Sequence, residues 1–115
     1  MVTGYPWYAI DTPEHKAFLD AYQAKFDDYP RLGSVVGYSA IMSLAEGIKK
    51  AGSTETEDMI KAFRGLELMS PFGSIEYRVA DHQSTMGAYV GKLAKKDGKG
   101  IMTDIVYVDG KDVLP

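Results

Sequence analysis

Thr54-Glu55-Thr56-Glu57-Asp58-Met59-Ile60-Lys61-Ala62-Phe63-Arg64-Gly65, followed further on by Gly73-Ser74-Ile75-Glu76-Tyr77-Arg78-Val79, is where the hydrophobic period of this chain changes. In the first part Met59, Ile60 and Phe63 fall on one side of a helix. Thr54 and Glu57 have capping-box spacing, which predicts a short helix over Thr56–Arg64. In the second part Ile75, Tyr77 and Val79 alternate with Ser74, Glu76 and Arg78. A period of two is what a strand with one buried and one wet face requires. The change divides the chain into a helical front and a stranded back, with Gly65 to Gly73 as the expected flexible joint.

Working back from that point, Tyr38, Ile41, Leu44, Ala45 and Ile48 follow the helical period and Gly52 supplies a stop, so a helix is expected from about Ser34 to Lys50. Charge is missing between Leu32 and Leu44, which suggests burial on more than one side. An earlier helix should start at Pro13, where Asp11-Thr12-Pro13-Glu14 combines a capping oxygen, a proline that sacrifices no hydrogen bond, and an acid at the positive end of the dipole. Phe18, Tyr22 and Phe26, with Leu19 and Ala21, mark its buried face, and Asp27-Asp28-Tyr29-Pro30 ends it. The opening Tyr5-Pro6-Trp7-Tyr8-Ala9-Ile10 reads as a strand or strand-like lead-in. Working forward, strands are expected over Ala88–Ala94 and Ile101–Val108, joined by a turn in which Asp97-Gly98 adopts positive φ. The expected order is β-α-α-α-β-β-β, an α/β or locally α+β fold with residues 1–115 as a single domain.

A chain of 115 residues suffices for one ordinary core. A net charge of -3 offers no field for nucleic acid or anionic lipid. The absence of cysteine removes disulfides, thiolate metal sites and thiol nucleophiles. The apolar stretch from Val35 to Ala45 is too short to cross a bilayer, and Met1-Val2-Thr3-Gly4 lacks the regions of a signal peptide. A chain so read is cytoplasmic, already processed, or a piece of something longer.

The residues offer little for chemistry. His15 and His82 have no second ligand at metal-site spacing on the same helix face, so neither a metal nor any other cofactor is expected. Asp81-His82 is half of an acid–base pair, but its nucleophile would have to come from distant serines such as Ser70 or Ser84. Gly98-Lys99-Gly100 leads into a strand, whereas a phosphate cradle leads into a helix. An enzyme is therefore not expected.

Val36-Gly37-Tyr38-Ser39-Ala40, continuing through Leu44, Ala45, Gly47, Ile48 and Ala51-Gly52-Ser53 to Phe63-Arg64-Gly65, resembles the type I periplasmic solute-binding proteins. Gly73-Ser74-Ile75-Glu76-Tyr77-Arg78 with Asp81-His82-Gln83 is similar to the branch serving branched-chain amino acids, amides and aromatic acids. Pro13 to Tyr22 is similar to that family's proline-led aromatic helix. The resemblance implies a partial lobe, the C-terminal segment of a two-lobed receptor. Its function would be that of the solute-binding component of an ABC importer in the periplasm, binding a leucine-like amino acid, amide or aromatic acid and presenting it to an inner-membrane permease. It also implies that the groups holding a solute's carboxylate and amine lie upstream, so binding by this chain alone should be weak or undetectable.

The same likeness implies wall positions at Ser34 and Tyr38, at the start of the expected second helix. Tyr5, Trp7 and Tyr8 join them, because aromatic rings beside a cleft cover apolar or cationic parts of a ligand. Each has a plainer structural reading: Tyr38 is in phase with Ile41 and Ile48 and suits a core, Ser34 suits a helix cap, and the aromatic lead-in suits packing. His82 and Gln83 are expected to shape a loop. Two other functions fit these residues: a ligand-sensing receptor domain of the same fold, and a self-associating interaction module with exposed apolar surface.

Overall fold

Thr12 opens the first helix as its pattern requires. Its Oγ1 accepts the His15 backbone N–H at 3.1 Å and donates to the Pro71 carbonyl at 2.7 Å, so the cap also fastens the helix to a distant turn. This computed structural model describes residues 1–115. Its elements run β1 (Val2–Gly4), α1 (Pro13–Phe26), α2 (Leu32–Ala51), α3 (Thr56–Phe63), β2 (Leu66–Ser70), β3 (Gly73–Tyr77), β4 (Ala88–Lys96) and β5 (Lys99–Val108), with a final 3-10 turn at Gly110–Asp112. The strands form an antiparallel sheet of order β1-β4-β5 and a separate β2-β3 hairpin. The helical front and stranded back are as expected, with one strand more.

That extra strand is β2, in the segment expected to be a flexible joint. Leu66–Ser70 pairs in full with Gly73–Tyr77, and the turn between them is held from inside by Ser70, whose Oγ accepts from Phe72 N at 3.1 Å and donates to the Gly73 carbonyl at 2.9 Å. Gly65 and Gly73, at φ 68° and 106°, provide the bends at either end rather than a hinge. The expected strand at Tyr5–Ile10 is displaced to Val2–Gly4. Pro6 has no N–H for a ladder, and Trp7 N and Ala9 N instead close turns onto Tyr5 O and Pro6 O, both at 2.9 Å. The β4–β5 hairpin turns at Asp97-Gly98 with φ 51° and 78°, as expected. The capping box expected at Thr54–Glu57 is not formed: α3 begins after Glu55, whose N–H bonds Ser53 Oγ at 3.0 Å.

Helix α2 buries the opposite side from the one its large residues suggest. Val35, Ser39, Ser43 and Gly47, spaced four apart, face the body of the protein, whereas Tyr38, Ile41 and Leu44 are exposed. Small residues win this position because they allow close approach: a Cβ at Gly47 would overlap the Phe63 ring of α3. Ser39 and Ser43 satisfy their hydroxyls on the carbonyls of Val35 and Ser39 at 2.9 and 2.7 Å, so they enter the interface with no unpaired polar group. In α1, Phe18 and His15 are buried while Phe26 lies exposed; in α3, Ala62 is buried and Ile60 exposed. In β3, Ile75 is buried and Tyr77 half-buried, while Val79 lies beyond the strand end and is exposed. The core joins Ile10, Phe18, Val35 and Phe72, ringed by Tyr5, Tyr22, Met86, Tyr89 and Tyr107.

Candidate functional site

The turn after β1, the loop between α1 and α2, and the β4–β5 hairpin meet around one open groove of about 1110 Å³. Tyr5, Trp7 and Tyr8 all line it, together with Tyr29, Arg31 and Met102. Trp7 stacks on Tyr29, with centroids 5.3 Å apart and planes 13° from parallel. The Arg31 guanidinium stands 4.7 Å from the other ring in the pair, that of Tyr29, and is held by Asp28 at 2.9 Å. The Asp28 hydrogen bond raises the Arg31 pKa, and Arg31 in return lowers that of Asp28, so both stay charged.

Tyr8 fixes the groove to the sheet. Its hydroxyl accepts the Met102 N–H at 2.6 Å and donates to the Met102 carbonyl at 3.4 Å, at a position where β5 is an edge strand with free backbone groups. Tyr5 ties the groove floor to α1, with its hydroxyl 2.7 Å from His15 Nε2. Burial pushes the Tyr5 phenol upward and the His15 imidazole downward, so at neutral pH both are uncharged. His15 Nδ1 is buried with no hydrogen-bond partner.

Ser34 and Tyr38 do not join this groove. Ser34 Oγ accepts from Arg31 N at 3.1 Å and donates to Tyr22 Oη at 3.3 Å, which is its capping role. Tyr38 lines a separate, shallower apolar groove of about 260 Å³ between α1 and α2, its ring 4.9 Å from that of Phe18. Tyr29, Arg31 and Met102 were not singled out from the sequence. The adjacency of Tyr29 and Arg31 was a usable signal; the approach of Trp7 and the β5 edge was not, because it depends on tertiary packing. At the other end, Asp81 is committed to Arg78, whose Nε and Nη2 donate to it at 3.1 and 2.6 Å. Arg78 and Gln83 close that loop through their backbones, and Ser70 and Ser84 serve in turns, so Asp81 and His82 shape a loop and assemble no reactive set.

A groove of stacked aromatics, open on one side and lacking any reactive centre, suits one wall of a binding cleft. Residues 1–99 match the family model described as periplasmic binding protein. The chain belongs to the periplasmic binding protein family. Among solved members, an ABC-type branched-chain amino acid transporter protein of Rhodopseudomonas palustris CGA009 aligns with 88% of this chain and 28% of its own, at 25% identity and TM-score 0.75. A solute-binding protein of an ABC transporter from Rhodopseudomonas palustris BisB5, solved with 3,4-dihydroxybenzoic acid, aligns with 86% of this chain and 28% of its own, at 27% identity and TM-score 0.72. The leucine-, isoleucine-, valine-, threonine- and alanine-binding protein of Pseudomonas aeruginosa is 34% identical over 65 residues, 56% of this chain and 17% of that protein. The chain thus spans between about a sixth and under a third of the length of these relatives, and its fold is a partial lobe of a type I periplasmic binding protein. The family is one of binding proteins, not of enzymes.

Proposed function

We infer that this chain serves as part of the solute-binding component of an ABC importer, in the periplasm, where it supplies one wall of the cleft and hands its solute to an inner-membrane permease. The observation that carries this reading is the groove in which Trp7, Tyr8 and Tyr29 converge, set in a periplasmic binding protein fold. The solute we favour is a small organic acid with an apolar or aromatic body, an aromatic acid or a leucine-like amino acid. Trp7 and Tyr29 offer ring faces, Leu32, Leu93 and Ile101 offer apolar contact, and Arg31 and Lys99 place positive charge at the rim. The names of the relatives, which mention branched-chain amino acids and 3,4-dihydroxybenzoic acid, are consistent with that class.

One open wall gives a solute contact on one side only, so affinity is low until a second wall closes over it. Trp7 is the only tryptophan, and its emission therefore reports on this groove without labelling. Titration with 4-hydroxybenzoate, benzoate and leucine should produce a saturable change for at least one, half-complete above about 1 mM, which corresponds to roughly 4 kcal/mol of binding free energy. Emission indifferent to all three removes the groove assignment. Half-saturation well below that concentration shows that the wall is sufficient by itself and contradicts the division of labour.

A further inference from the structure

Helix α1 buries His15 completely, at 0% exposure. Its ring meets that of Tyr5 edge-on, with centroids 5.6 Å apart, and lies 6.3 Å from that of Phe18. Nε2 is bonded to the Tyr5 hydroxyl at 2.7 Å, while Nδ1 is buried without a partner. Burial lowers the imidazole pKa below 6.5 and outweighs the Ile10 carbonyl, which favours the charged ring. The elements packed around this part of the core bring no compensating anion: α2 supplies Val35, the β2–β3 turn Phe72, and β4 and β5 the phenols of Tyr89 and Tyr107. Asp11 bears on Tyr89 rather than on His15. Glu14 and Lys16, its charged neighbours on α1, point about 100° away round the helix. An imidazolium here would carry a donor on both nitrogens and a charge with no counter-ion.

The segment that bears Trp7 depends on the Tyr5–His15 bond. Residues 5–9 have no strand partner, and their backbone closes only local turns, Trp7 N–H to the Tyr5 carbonyl and Ala9 N–H to the Pro6 carbonyl, both at 2.9 Å. Two side chains reach out of the segment to hydrogen-bond elsewhere, Tyr5 to His15 and Tyr8 to Met102. Because Trp7 hangs on the Tyr5 carbonyl, the place of Tyr5 sets where the indole meets Tyr29. Taking the Trp7 groove as the wall that meets a solute, we propose that His15 is its positioning residue: acting through Tyr5, the neutral ring holds the Tyr5–Tyr8 turn in its binding shape, and a proton added to that ring releases it. Helix α1 stays in place, held by the Thr12 cap and by Phe18 in the core. Departure of Tyr5 opens the ring to water and returns it toward its ordinary 6.5. The held form therefore prevails above that value, and each pH unit below it raises the ratio of released to held turn by up to about tenfold.

The test reads Trp7 in the full chain without solute. Its emission is followed from about pH 8 to about pH 4.5, beside the His15 ring-nitrogen shifts of isotopically labelled protein and the helical circular dichroism. Emission should change in a step that shares the midpoint of the His15 ring, below 6.5, while the helical signal holds. Tyr5→Phe keeps the packing and removes the link, so Trp7 should give its released emission at every pH. His15→Gln, which cannot be charged, should abolish the step, and His82→Gln, in the loop at the other end, should leave it unchanged. The half-saturating concentration of 4-hydroxybenzoate should rise at least about threefold from about pH 7.5 to about pH 5.5 in the wild type, and stay level in Tyr5→Phe. A step that persists in Tyr5→Phe or His15→Gln overturns the proposal, as does emission that stays level while His15 titrates. A step that coincides with loss of helix, or a His15 ring still neutral at the acid end, overturns it equally. Should 4-hydroxybenzoate bind at no pH, the solute reading of the groove fails, while the emission step with its variant pattern still bears out the hold of His15 on the turn.

Discussion

Gly47→Ala separates the two ways of docking α2 by the sign of a stability change. In a helix interior, replacing glycine by alanine contributes about 1 kcal/mol of stability, because the backbone loses less freedom on folding. Here the new methyl would enter the Phe63 ring, overlapping one edge carbon and lying 3.0 Å from two more ring atoms. Phe63 has little freedom to give way, since its ring packs edge-on against Tyr77 at 5.0 Å and 78°. Overpacking of this kind costs about 1–3 kcal/mol. The steric cost exceeds the propensity gain, so we expect net destabilisation of about 1 kcal/mol, or a fall of roughly 4 °C in Tm for a domain of this size. Gly37→Ala is the control: its Cβ meets nothing, and it should stabilise by about the propensity difference alone. Both are best measured by urea unfolding at one low protein concentration. A Gly47→Ala protein more stable than its parent would show that α2 packs through its large apolar side, and the account of this helix would be wrong.

His15 gives a pH prediction. Burial lowers its pKa below the ordinary 6.5, so between 6.5 and the folded value the unfolded chain binds the extra proton. Stability contributed by neutral His15 is present above 6.5 and is lost as pH falls; urea midpoints should drop on acidification below that value, and His15→Gln should flatten the drop. Equal slopes for the two proteins would remove His15 as its source. Thr12→Ala breaks both the N-cap bond and the link to Pro71, and should cost about 1–2 kcal/mol in the same assay, against near zero if the cap were solvent-replaced.

Where a local rule sufficed, the fold was legible in the sequence. Thr12 before Pro13 placed the start of α1, Gly52 the end of α2, and Asp97-Gly98 the turn of the long hairpin, because each depends on one residue's own conformational preference. Ile75 was correctly placed inward by alternation. The readings that missed depended on partners distant in sequence. Leu66–Ser70, lying between Gly65 and Gly73, was read as part of a joint and becomes a strand because β3 supplies its ladder and Ser70 its turn. The inward side of α2 was not legible because its period is carried by two sets of residues at once: the larger set suggested a core, but the smaller one fits against Phe63. For the site, aromatic character alone brought Tyr5, Trp7 and Tyr8 to one groove, whereas family likeness at Ser34 and Tyr38 led to a capping hydroxyl and to the far side of α1. Tyr29 was hidden in a segment read only as a helix stop, and Arg31 directly follows that segment.

The central claim is that the surface around Trp7 is the one that meets a solute. Amide chemical-shift mapping of the isotopically labelled chain against 4-hydroxybenzoate and leucine, at concentrations up to tens of millimolar, examines it residue by residue. The account predicts shifts that saturate together and cluster in residues 5–8, 29–32 and 99–102. Saturable shifts gathered instead around Asp81 and His82, or along the α1–α2 groove at Tyr38, would contradict it.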